Sequence, residues 1–178
     1  MKLFCAIIVC SLTLFSATTG YGANLDLSRF HEVDFEALPA HASSCFGEET
    51  LPNPLSVGGL VVFDPVCLST AFCSSPTCIP DPANADGGNI SIFLTPGGTI
   101  AFPARTKVAV LDVQGIGDNP FTLRVTDARG WTYDVQGQGV LFGQTLVRLT
   151  SPRGIESVEV VSVGGTGGPL AIAAVYYR

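Results

Sequence analysis

From Ile90 to Tyr177 the chain is an almost unbroken series of short β-strand patterns, and this stretch constrains the fold more than any other. In order it runs ISIFLT, TIAFP, KVAVLDV, FTLRVTD, WTYDV, TLVRLTS, SVEVVSV and LAIAAVYY. Each run is rich in Val, Ile, Thr, Phe or Tyr, and Gly, Pro, Asn or Asp often lies between runs. Short strands punctuated in this way predict an all-β sandwich or barrel. In Phe121 to Thr126, Phe121, Leu123 and Val125 share one face while Thr122, Arg124 and Thr126 share the other, so one face is buried and one is wet. Asp127-Ala128-Arg129-Gly130 reads as the following turn, with Trp131, Tyr133 and Val135 on the apolar face of the returning strand. Leu170 to Tyr177 is apolar on both sides, the pattern of a central strand.

The N-terminus reads as a separate object. Lys2 supplies a positive charge, Leu3 to Phe15 is apolar apart from Ser11 and Thr13, and Gly20-Tyr21-Gly22 gives the small residues of a cleavage after Gly22. This is the pattern of a secretory signal peptide over residues 1–22, leaving one β-sandwich domain over residues 23–178. The apolar run is shorter than the roughly 20 residues that span a bilayer, so no membrane insertion is expected after cleavage. The expected location is secreted and extracellular. The formal charge of −6 argues against nucleic acid or anionic membranes as partners and says little about glycans or proteins.

Outside the leader the cysteines are Cys45, Cys67, Cys73 and Cys78, an even number that suggests two disulfides in an oxidising compartment. Of three connectivities, Cys45–Cys67 with Cys73–Cys78 is favoured, because the second pair closes a small loop around Ser-Ser-Pro-Thr. Their spacing lacks the Cys-x-x-Cys of a zinc site. Residues 64–88 carry three of these cysteines and four prolines, and read as a long loop pinned by disulfides. Asn89-Ile90-Ser91 is an N-glycosylation sequon just before a strand.

Further upstream, Val33 to Leu38 reads as a first strand and Val57 to Phe63 as a second, opened by a Gly58-Gly59 bend. The order of these pieces is informative: Val33-Asp34-Phe35-Glu36-Ala37-Leu38, an apolar strand with Gly59-Leu60, a Cys/Pro/Asn loop and Gly98-Thr99-Ile100-Ala101-Phe102. The strand Val108 to Val113 follows, then Thr122 to Gly130, then Phe142-Gly143 ahead of a strand and Gly154 to Val160. This order resembles the secreted galactose-binding-like jelly rolls found in exoproteins of the PEP-CTERM class and related secreted proteins. The resemblance covers residues 33–177 and implies a jelly-roll-type β-sandwich of about nine or ten antiparallel strands. Such domains usually close on a strand with paired Asp or Asn residues. Here that stretch is Ile172-Ala173-Ala174-Val175, so those carboxylates are missing.

Chemistry-bearing residues are sparse. Asp34 and Glu36 sit at i, i+2 and would project from one strand face, as calcium ligands or as an acid/base pair; the competing reading is the wet face of an edge strand. Calcium takes about six or more oxygen ligands, and no second acidic cluster is obvious. No cofactor is expected. Asp112, Asp118, Asp127, Asp134, Glu156 and Glu159 are scattered singly, the two histidines are His31 and His41, and no Gly-x-Ser-x-Gly elbow occurs. Neither a triad nor a glycosidase pair can be assembled, so a non-catalytic protein is expected. Trp131 and Tyr133 are the best binding candidates, as an aromatic platform for a sugar ring, set against a role in the core. The leading expectation is a non-catalytic secreted module that binds a glycan or cell-wall polysaccharide. The alternative is a structural or protein-interaction component of an extracellular surface or matrix, and a polysaccharide hydrolase ranks third.

Overall fold

A computed structural model describes residues 18–20, 25–35, 51–70, 90–114, 118–140, 144–165 and 168–178. They form eleven strands and, among the described residues, no helix. The strands are β1 (Thr18–Gly20), β2 (His31–Asp34), β3 (Leu55–Val57), β4 (Leu60–Thr70), β5 (Ile90–Ala101) and β6 (Val108–Gln114). They continue with β7 (Pro120–Asp127), β8 (Thr132–Gln138), β9 (Gln144–Thr150), β10 (Ile155–Val163) and β11 (Leu170–Tyr177). Every pairing is antiparallel. The order is β1-β9-β6-β11-β5-β10-β7-β8, with β2 beside β11 and the β3–β4 hairpin beside β5. β8, at one end of this path, returns towards β9, next to the other end. Thr145 Oγ1 on β9 donates to Gln138 O on β8 at 2.9 Å, and Tyr133 OH on β8 donates to Thr150 O on β9 at 2.9 Å. The path therefore nearly closes on itself.

The strand runs of the sequence map onto β5 to β11, with one merger. ISIFLT and TIAFP are a single strand that bends between its halves. Ile92–Leu94 pair with Leu170–Ile172 of β11, while Thr99–Ala101 pair with Ser157–Glu159 of β10. Gly97 lies between them at a φ of 98°, which a side chain would resist. On its other edge β5 follows β4 along both halves.

The expected second strand is a hairpin. Gly58 and Gly59 have φ values of 52° and 83°, the mirror-image turn that suits a two-residue connection between twisted strands. β4 then runs to Thr70, into the stretch expected as loop. Asp64, at a φ of 53°, makes the irregularity there, where pairing to β5 shifts between Phe63 and Pro65. The Asn53 side chain holds it: Nδ2 donates to Asp64 Oδ1 at 2.6 Å, and Asp64 N donates to Asn53 Oδ1 at 3.1 Å.

The core fills the inside of the sheet. Phe121, Leu123 and Val125 of β7 are buried with Leu111 and Val113 of β6, Val147 and Leu149 of β9 and Val158 and Val160 of β10. Thr122, Arg124 and Thr126 stay partly exposed, as their alternation requires. Leu170 to Val175 of β11 are all buried, and the strand has β2, β5 and β6 as neighbours, so it is central as its composition demands. Residues 1–17, 21–22, Glu36, Cys45, Cys73, Cys78, Asn89 and most of the expected loop lie outside the described residues. Cys67 stands on β4 opposite Phe93 of β5. Thr18–Gly20, inside the expected leader, pair with Leu146–Arg148 of β9.

Candidate functional site

The turn joining β7 to β8 is built by one side chain. Asp127 is fully buried, and its Oδ1 accepts the backbone N–H of Arg129 at 2.9 Å and of Trp131 at 3.0 Å. Asp127 N donates to Trp131 O at 2.8 Å, and Gly130 N donates to Asp127 O at 2.8 Å with Gly130 at a φ of 78°. An aspartate at the first turn position and a glycine at the left-handed one are the residues this geometry calls for. The backbone of Trp131 is thus gripped at both its N–H and its carbonyl. Arg153, from the β9–β10 turn, places Nη1 3.6 Å from Asp127 Oδ2 and its guanidinium carbon 5.7 Å from the centroid of the indole. Burial alone would raise the Asp127 pKa, but the two N–H donors and the Arg153 charge outweigh it and hold the carboxyl below the usual aspartate range.

Trp131 is 64% exposed. The apolar stripe predicted from alternation therefore splits at the strand's start. Val135 is buried, and Tyr133 is half-buried, packed against the core with its OH on the Thr150 carbonyl. Burial raises the Tyr133 pKa. Trp131 precedes the first residue of β8 and stands outside the core, so the two aromatics form no shared platform. Arg153, which flanks the indole, carried no sequence signal of that role: 22 positions separate it from Trp131.

Two neighbouring turns complete this end of the sheet. Between β5 and β6, Thr106 N and Oγ1 both donate to Pro103 O, at 3.3 and 2.9 Å, with Arg105 at a φ of 76°. Between β9 and β10, Gly154 N donates to Ser151 O at 3.2 Å with Gly154 at a φ of 95°. The three turns are bonded together: Ala128 N donates to Gly154 O at 3.1 Å, and Ile155 N to Thr106 O at 2.6 Å. Trp131 consequently stands on a braced support rather than on an isolated hairpin tip.

Asp34, the acidic candidate that is described, is exposed on β2 opposite Ala174 of β11. On the other side of Ala174 stands Asp112 of β6, 7% exposed. Its Oδ2 accepts Gln114 Nε2 at 3.3 Å, while Oδ1 has no hydrogen-bond partner. Burial raises the Asp112 pKa, and the Gln114 bond opposes this only in part. Tyr176, two residues beyond Ala174, donates to Glu32 Oε1 at 2.9 Å. Burial, that bond and the charges of Glu32, Asp112 and Asp34 push its phenol well above the usual tyrosine range. Asp34 and Asp112 belong to strands two apart, about 10 Å at ordinary strand spacing. Among the described residues, no group of three His, Cys, Asp or Glu side chains could hold a metal ion. Nor is any helix among them long and apolar enough to cross a membrane.

A cleft of about 440 Å³ lies at the far ends of β7, β8 and β10, lined by Pro120, Thr122, Gln136, Gln138 and Ser162 among others. Its nearest lining residue on β8, Gln136, lies five residues from Trp131 along the strand, about 16 Å when extended. Compared with protein-family models, with curated proteins and with solved structures, the chain matches none.

Proposed function

We propose that this protein is a non-catalytic secreted module that binds glycan through Trp131. The observation that carries the reading is the exposure of Trp131, 64%, on a turn fixed by Asp127, Arg153 and two adjoining turns. A rigid, solvent-facing indole stacks on the C–H face of a sugar ring with little ordering cost, because its backbone is already immobilised. The strand order supports the finer fold assignment, a jelly-roll sandwich. In that reading β9-β6-β11 with the first half of β5 would make up one layer, and β8-β7-β10 with its second half the other. This is the architecture that the galactose-binding-like resemblance implies.

Trp131 is the chain's only tryptophan, so its fluorescence reports this site without labelling. Titration of the purified protein with soluble polysaccharides should change that fluorescence, and Trp131→Ala should abolish binding while Tyr133→Phe preserves it. A glycan array with no binding down to millimolar affinity would sink the reading. A second reading, a protein-interaction component of an extracellular surface, draws on Phe63 and Val66 of β4, which are 41% and 47% exposed. Concentration-dependent self-association lost in Phe63→Ser would support it.

A further inference from the structure

The braced end of the sheet is also where cationic side chains collect. Thr106, Ala128 and Gly154 meet there: a Cβ on Gly154 would lie 3.6 Å from Thr106 O and 3.7 Å from Ala128 Cβ. Each member of this junction is flanked by cations. Arg105 and Lys107 bracket Thr106, Arg129 follows Ala128, and Arg153 precedes Gly154; all four are exposed. The chain has nine Lys and Arg in all, so these four surround one point of a protein with formal charge −6. Arg178 is joined to the same group, its carbonyl accepting Lys107 N at 2.8 Å and its guanidinium lying over the Phe30 ring. The acids beside the junction do not cancel this. Asp127 is buried and committed to Arg153 and the turn, Asp26 acts on Arg178, and Glu156 is the exposed acid next to the junction in the chain, which leaves Arg105, Lys107 and Arg129 unopposed by an ion pair among the described residues. Arg105, Lys107 and Arg129 have no side-chain partner among the described residues.

We propose that this surface selects an anionic polysaccharide, one bearing uronate carboxylates or sulfates, with Trp131 stacking on a sugar ring and Arg105, Lys107 and Arg129 meeting the charged groups beside it. The inference rests on the glycan reading of Trp131 and names its ligand class. Cations flanking touching residues lie within about one Debye length of each other at physiological salt, so their potentials add. Guanidinium forks match the two oxygens of a carboxylate or sulfate. The chain's net negative charge opposes a polyanion as a whole, so attraction depends on a local excess of cations such as this one beside the indole.

The test immobilises polygalacturonate, dextran sulfate, neutral dextran and duplex DNA, and measures binding of the full chain at low salt and near 0.15 M. Three proteins are compared: wild type, Trp131→Ala, and the triple variant Arg105→Gln, Lys107→Gln, Arg129→Gln, with circular dichroism confirming their fold. The expected result is binding to one or both acidic polysaccharides that weakens with salt. It should fall about tenfold or more in the triple variant, which removes three charge contacts. It should also be lost in Trp131→Ala. Equal binding of dextran and the acidic glycans, unchanged in the triple variant, overturns the anion selectivity and leaves the Trp131 reading standing. Binding of DNA as tight as that of the glycans and indifferent to Trp131→Ala overturns the proposal in favour of a general polyanion surface. Absence of binding to every polysaccharide overturns both.

Discussion

Asp127 offers the sharpest test of how the Trp131 site is held. Its Oδ1 accepts two backbone N–H groups, and its Oδ2 faces Arg153. Asp127→Ala strands both donors and leaves Arg153 without its counter-charge. Hydrogen bonds to a charged acceptor contribute about 1.5–3 kcal/mol each, so the alanine variant should lose about 3–5 kcal/mol. Asp127→Asn keeps an oxygen that can take both N–H donors, and loses only the charge and the Arg153 attraction, a cost of about 1–2 kcal/mol. The two variants thus separate hydrogen bonding from charge. The folded carboxyl lies below its ordinary value, so its contribution is present above the unfolded pKa of about 3.9 and is lost as pH falls through the folded value. The stability gap between wild type and Asp127→Asn should therefore be full at neutral pH and shrink on acidification below about 4. Urea denaturation followed by far-UV circular dichroism at several pH values measures it. If Asp127→Ala and Asp127→Asn cost the same, or the gap does not change with pH, the reasoning about this turn is wrong.

Asp112 should behave in the opposite sense. Its folded pKa is raised, so its charge opposes folding at neutral pH, and Asp112→Asn should raise the melting temperature there by an amount that vanishes as pH drops towards the ordinary aspartate value. A Cβ on Gly137 would fall inside the buried Phe121 ring, so Gly137→Ala should cost about 1–3 kcal/mol in chemical denaturation. Tyr133→Phe removes the donor to Thr150 O and should cost about 1 kcal/mol while leaving glycan affinity unchanged by fluorescence titration.

The strands were legible because each half-buried strand writes its geometry into alternate residues. Phe121, Leu123 and Val125 face inward as their pattern requires, and Leu170 to Val175 are buried on both faces. Alternation records faces and not ends, which is why it assigned Trp131 to the same stripe as Tyr133 and Val135. The core stops at Tyr133, and the tryptophan lies past its rim. Asp112 stood in the sequence only as one of several scattered acids; it is 7% exposed on β6, a strand flanked by β9 and β11, and pairing between strands leaves no mark in the spacing of acids. The merger of two runs into β5 turned on Gly97, which a linear reading takes as a break and which the chain uses as a bend. The cation cluster was hidden by averaging. Net charge sums the whole chain, whereas Arg105, Lys107, Arg129 and Arg153 come together only through three turns distant in sequence.

The continuity of β5 bears on how the molecule comes apart. One twelve-residue strand supplies edge partners to β11 in its first half and to β10 in its second, and β4 follows it across the bend. Opening the pairing with β11 or with β10 strips hydrogen bonds from a strand on which the other depends. Partial unfolding is thereby penalised, and the strands on either side of β5 should melt as one cooperative unit rather than in sequence. Amide exchange slow enough to track global unfolding should be found in β5 and β11. A substitution in the Trp131 turn, such as Asp127→Ala, should then lower the stability of the whole body rather than melt the turn alone.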